Sequence, residues 1–163
     1  MRRPSLRANA EMQRLIGALD PAALPPLSGK MLRYLDDGVI ERDGCVLLKA
    51  LHADCGAFDV RLHRHRTGHE CAVNRLSFAA APAGPDRSLA TALSFAGQLV
   101  EMLDRCGASG PFRVIVARQP EEGSFAVRFH RLRQGERWLD RDLETAYDAA
   151  VLVLDCGVRQ TVG

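Results

Sequence analysis

The residues with the most chemical potential are His63-Arg-His65, with His69 and Cys71 a few positions on. Two histidines at i and i+2 on a strand project from one side. A facing strand carrying His69 and Cys71 would add ligands of the type that zinc takes. The same spacing also fits a solvated basic face whose inward side is filled by Val60 and Leu62. The sequence names no second set of partners to orient such ligands, so no metal and no other cofactor is assigned. For catalysis, Cys71, Ser77, Ser124 and His130 fall in strands or at their ends. No spacing pairs a nucleophile with a base, and His130 is expected on an outward, solvated face. Asp36-Asp37 sits in a turn. The chain is not expected to be an enzyme.

Charge gives two further patterns. Arg61, Arg64, Arg66 and Arg75 in one predicted hairpin, with Arg128, Arg131 and Arg133 in another, would make a basic patch. Phe125, Phe129 and Trp138 interleave with it, as in a base-stacking surface. Phe125 and Phe129 share a face with Val127, however, and that is the core face. The net charge of +2 is too small to imply nucleic-acid binding by itself. The other pattern is acidic: Glu136, Asp140, Asp142, Glu144, Asp148 and Asp155 stand against only Arg137 and Arg141. Charges of one sign in a short stretch steer and select a partner of the opposite sign.

These residues need a scaffold, and the 163-residue chain with 47% hydrophobic and 26% charged residues can build a real core. Ser5 is expected to cap a helix running to Leu19. Asp20-Pro-Ala-Ala-Leu-Pro-Pro26 stops it, because proline denies the backbone its donors. Residues 28–36 read as another short helix with Leu32 and Leu35 inward. Asp36-Asp-Gly38 and Arg42-Asp-Gly44 are turns around Val39-Ile40. Strands are predicted over Cys45–His52, Phe58–His63 and Glu70–Phe78, the last two joined at Thr67-Gly68. From Asp86, the expected N-cap, Leu89, Leu93, Ala96, Leu99, Val100 and Leu103 recur at helical period, and Gly107 ends the helix. Phe112–Arg118 and Phe125–His130 form a hairpin, with Phe125, Val127 and Phe129 on one face. A short helix at Asp140–Tyr147 and an apolar strand at Ala150–Asp155 complete the order.

The expected fold is α+β: a mostly antiparallel sheet of five to six strands packed on one long amphipathic helix. The expected division is a helical N-terminal extension over 1–43, packed or flexible, and an α+β domain over 44–163. The five cysteines form no Cys-x-x-Cys pair and read as reduced, structural thiols. No apolar run is long enough to cross a bilayer. Arg2 and Arg3 precede only a short apolar patch at Leu15–Leu19, with no signal-peptide core. A cytoplasmic location is expected.

Val127-Arg-Phe-His-Arg-Leu-Arg-Gln-Gly-Glu-Arg-Trp-Leu139, followed by Asp142-Leu-Glu144, Tyr147 and the strand ending at Asp155, resembles a family of small bacterial immunity proteins. That family is associated with contact-dependent growth inhibition and related polymorphic toxin systems. His69-Glu-Cys-Ala-Val-Asn-Arg75 is similar to its first hairpin. Thr145-Ala146 departs from the pattern by lengthening the step to Tyr147, and Met1–Asp43 has no counterpart in it. The resemblance implies a protein that binds a cognate toxin domain and neutralises it by occlusion, a nuclease in many such systems. Glu136, Asp140, Asp142 and Glu144 are then the expected partner-binding residues, because nuclease sites are basic. The alternative is a small nucleic-acid-binding or regulatory domain using the basic hairpin face. No membrane partner is expected on either reading.

Overall fold

The computed structural model describes residues 3–53, 55–80, 82, 84–121 and 123–157. In chain order the elements are β1 (Ser5–Ala8), α1 (Ala10–Gly17), α2 (Gly29–Asp36), β2 (Val39–Arg42), β3 (Cys45–Leu48), α3 (Lys49–His52) and α4 (Arg66–Val73). They continue with β4 (Arg75–Phe78), α5 (Pro85–Arg105), β5 (Phe112–Arg118), β6 (Phe125–Arg131), α6 (Leu143–Ala146) and β7 (Val151–Cys156). A single 3₁₀ turn, Pro21–Ala23, falls in the proline-rich stop. The fold is α+β, with a five-stranded sheet of order β1-β7-β5-β6-β4 in which every pairing is antiparallel. β2 and β3 form a separate hairpin. Its two-residue turn, Asp43-Gly44, has positive φ at both positions (53° and 76°), the geometry that matches strand twist.

The long helix lies where its period places it. Leu89, Phe95, Ala96, Leu99 and Leu103 of α5 are buried against Val114, Val116, Phe125, Val127 and Phe129 on the inner face of the sheet. Each fully buried apolar side chain of this size contributes about 1.5–3 kcal/mol. Gly107 takes the expected left-handed φ of 72° after the C-cap. The N-cap position is Gly84 rather than Asp86, which stands in the first turn.

Several elements differ from their sequence pattern. Ser5 opens strand β1, and the first helix starts later with Asn9 as its cap. Asn9 accepts from the Met12 N–H at 3.1 Å while its backbone extends the ladder to Val151. The segment before Asp43 thus supplies an edge strand, and Met12, Leu27 and Leu35 enter the main core. Leu32, expected inward, is exposed. β3 ends at Leu48, and Lys49–His52 is a helical turn rather than more strand.

The largest correction concerns residues 58–78. Phe58–His63 is not a strand: the Asp59 carboxylate accepts from the Arg61 N–H at 2.8 Å, and the Asp59 carbonyl accepts from Leu62 and His63. Val60 and Leu62, expected inward, are 66% and 77% exposed. Thr67-Gly68 is no hairpin turn either but lies in the first turn of α4. Only Arg75–Phe78 of the predicted return strand is extended, as the edge strand β4 beside β6.

Candidate functional site

The outer face of the sheet carries a row of polar side chains set by register. His130, Arg113 and Asp155 face one another across β6, β5 and β7. Asp155 accepts a two-pronged bond from Arg113, Nε and Nη2 each at 2.7 Å. His130, expected on the surface, is 2% exposed; α4 packs on β6, and Glu70, Arg113 and Arg133 lie close enough to act on its charge. Its Nδ1 pairs with the Arg131 carbonyl at 2.8 Å, and its Nε2 has no partner. Burial holds this imidazole below the ordinary histidine range.

Where β4 stops short, α4 takes over the exposed edge of β6. Its Glu70 and Asn74, one helical turn apart, complete two strand edges at once. The Glu70 carboxylate accepts from the backbone N–H of Val46 in β3 at 2.7 Å and of Arg131 in β6 at 2.8 Å. Arg133 adds Nη1 and Nη2 at 2.8 and 2.7 Å. Asn74 accepts from the Leu48 N–H and donates to the Val46 and Phe129 carbonyls. Glu70 is 0% exposed, a charge that is tolerable in the interior only with partners of this quality. Sequence reading missed this junction. Its one signal was Glu70 and Asn74 at i, i+4, a helical spacing inside a stretch that otherwise reads as strand.

The sequence-predicted histidines do not converge on a ligand point. His65 caps α4, its Nδ1 accepting from the Gly68 N–H, while the rings of His63 and His69 meet edge to face at 5.2 Å. Cys71 is fully buried, and desolvation pushes its thiol up to about 12. Among the described residues, no group of three His, Cys, Asp or Glu is placed to hold a metal. The basic hairpin is dispersed as well. Arg61 pairs with Asp59, Arg66 donates to the Asp43 carbonyl, Arg128 lies over the Trp138 ring, Arg131 pairs with Glu41 and Arg133 with Glu70.

The acidic residues separate into two kinds. Glu136 points inward and accepts from the Thr67 hydroxyl at 2.6 Å and from its N–H. Burial alone would raise its carboxyl; those bonds and the Arg133 charge outweigh it and hold the group below the usual range. Asp140, Asp142 and Glu144 are exposed. Asp142 caps α6 by accepting from the Glu144 and Thr145 N–H groups, Asp140 accepts from the Asp142 N–H, and Glu144 accepts from the Ala10 N–H at 2.6 Å. Leu139 and Leu143 pin the segment to Ile115, Val151 and Val153 of the sheet.

Beside this acidic segment lies a concavity of about 620 Å³ whose charged lining is Arg7, Arg113, Arg133, Arg137 and Arg141 with the single carboxylate Glu136. Arg7 comes from the far end of the chain and donates to the Arg141 carbonyl at 3.4 Å.

No helix among the described residues is long and apolar enough to cross a membrane. No curated protein and no solved structure matches the chain. One family model does match, over residues 7–162, and on that extent the chain belongs to the Uncharacterized protein PM0498 family.

Proposed function

We propose that the protein is a non-catalytic binding protein of the cytoplasm, an immunity protein that docks on a cognate toxin domain and occludes it. One observation carries this reading. Asp140, Asp142 and Glu144 are exposed on a segment that is already pinned to the sheet, so little ordering entropy is lost when a basic partner meets it. Several polar groups that could serve chemistry instead support the fold. Glu70 and Arg133 join strand edges, His65 caps a helix, and the Ser124 hydroxyl donates to the Glu121 carbonyl. Glu136, held by Thr67, belongs to the support of this surface rather than to its exposed part.

The test is to co-express the Asp140→Lys/Glu144→Lys variant with the toxin domain encoded beside the gene, and to measure binding at low and high salt. Both side chains lie outside the core, so the fold should hold. The expected result is partial loss of protection, with association slowed about tenfold at low salt and less at high salt. Full protection with unchanged association at both salts removes this surface from the interface. Absence of any toxin-like neighbour that the wild-type chain binds removes the immunity reading itself.

A further inference from the structure

We infer that the arginine-lined concavity is a binding site for a small oligophosphate anion. Arg113 and Arg133 are already matched, the first by Asp155 at 2.7 Å and the second by Glu70 at 2.7 Å. They form a fixed floor. Arg7, Arg137 and Arg141 have no carboxylate within ion-pair distance among the described residues, and all three are exposed at the rim. Local counting makes residues 136–155 acidic, but the fold brings Arg7 and Arg113 to that segment and reverses the sign at this point. Three like charges around one concavity repel each other, and a counter-anion relieves that repulsion.

The chemistry of the rim selects the ligand class. A guanidinium presents a planar fork of donors that matches two oxygens of one phosphate, and it stays charged at any physiological pH. Three forks without a carboxylate partner fit an anion with more than one phosphate group better than a single inorganic phosphate. The volume, about 620 Å³, is in the range of small-ligand sites. The lining is otherwise polar, with Leu139 as its one large apolar side chain, so charge rather than apolar burial has to supply the affinity. This inference does not depend on the immunity reading, since no toxin is needed to fill the site.

Titration calorimetry of the full chain with pyrophosphate tests it, with citrate, an anion of similar charge, as the comparison. We expect one pyrophosphate per chain, weakened by added salt because exposed charges are screened. Arg137→Ala/Arg141→Ala should weaken it by at least about tenfold, the loss expected for charge-assisted hydrogen bonds. Arg64→Ala/Arg87→Ala, exposed arginines elsewhere, should bind as wild type does. Should the double variant melt early, Arg7→Ala alone replaces it. Equal loss in the control variant, or no heat with pyrophosphate, overturns the site. Citrate binding as tightly as pyrophosphate overturns the phosphate assignment. A single-stranded oligoribonucleotide whose affinity grows with length overturns the small-ligand reading in favour of a nucleic acid.

Discussion

On its inner face the sheet meets one 21-residue helix, and the contact between them is apolar except where the buried Ser88 hydroxyl donates to the Phe78 carbonyl of β4. On its outer face it meets short helices and a looped segment, and between them lie guanidiniums, carboxylates and an imidazole. The inner contact tolerates shifts, because methyl groups have no direction and packing depends mainly on volume. The outer one is directional, since each buried charge and strand-edge donor has a particular partner to lose. Ligand chemistry belongs to the outer face for the same reason: unmatched charge survives only where packing is open to water.

The sharpest way to break the comparison is to remove one member of each face. Phe95→Ala, on the inner face, should cost about 3–5 kcal/mol through lost transfer energy and a cavity. Glu70→Ala should cost about as much, about 3–5 kcal/mol, for a different reason. It leaves the N–H groups of Val46 and Arg131 without their acceptor and takes from the Arg133 guanidinium its two-pronged carboxylate, leaving it Glu136 at 3.9 Å as counter-charge. Denaturant unfolding measures both. Adding Arg133→Met should recover part of the Glu70→Ala loss, because the charge that lost its closest carboxylate goes with it, whereas the same addition to Phe95→Ala should not. A cost for Glu70→Ala no larger than that of a surface substitution would mean the polar junction does not hold the outer layer.

The two faces also differ in how far the sequence disclosed them. Helix α5 and the β5–β6 hairpin were legible because a long element buries a periodic set of side chains, and Leu89 to Leu103 and Phe125 to Phe129 show it. Phe58-Asp-Val-Arg-Leu-His63 alternates just as well, yet it is a loop. Alternation reports only that a strand would be amphipathic, not that an edge is free to receive it. The edge of β6 beyond Arg128 goes to α4, through Glu70 and Asn74. The outer pocket was hidden for another reason. Arg7 and Arg141 are 134 positions apart, so a count of charge along residues 136–155 misses the strand pairing that brings them together. His130 was misplaced in the same way, since α4, which packs on β6, comes from a stretch that reads as strand in the sequence.

A smaller effect sharpens the contrast through pH. Burial depresses His130, and likewise His69 beside Phe58 and His63, so both are harder to protonate in the fold than in the unfolded chain. The unfolded chain binds protons at its ordinary pKa, about 6.5, and the folded chain only below that. Their stabilisation is therefore full above pH 6.5 and is lost as pH falls from there toward the depressed values. Glu136 and Asp142 are depressed carboxylates, so their contribution is lost only in more acid solution, below about 4.5. Unfolding free energy should thus fall between pH 7.5 and 5.5, and His130→Gln should flatten that fall. An unchanged slope in the variant would place the titration elsewhere.

The smallest predicted effect separates the outer cover from the sheet beneath it. Helix α6 has four residues, too few to be stable by itself. It is held by the Asp142 carboxylate, which accepts from the Glu144 and Thr145 N–H groups and the Thr145 hydroxyl, and by Leu143 on the outer apolar cluster. Asp142→Ala removes the first support and keeps the second. Amide exchange in 143–147 should then accelerate, while protection in α5 and β5 stays as in the wild type and the melting temperature hardly moves. The inner layer has no such separable part, since α5 contacts β4, β5, β6 and β7 together. If Asp142→Ala instead lowers protection in β5 and α5, cover and sheet open as one unit and the two faces are energetically coupled. If exchange in 143–147 is unchanged, the apolar contacts of Leu139 and Leu143 and the Glu144–Ala10 bond hold the cover without the cap. The exposed carboxylate is then free for a partner without structural cost.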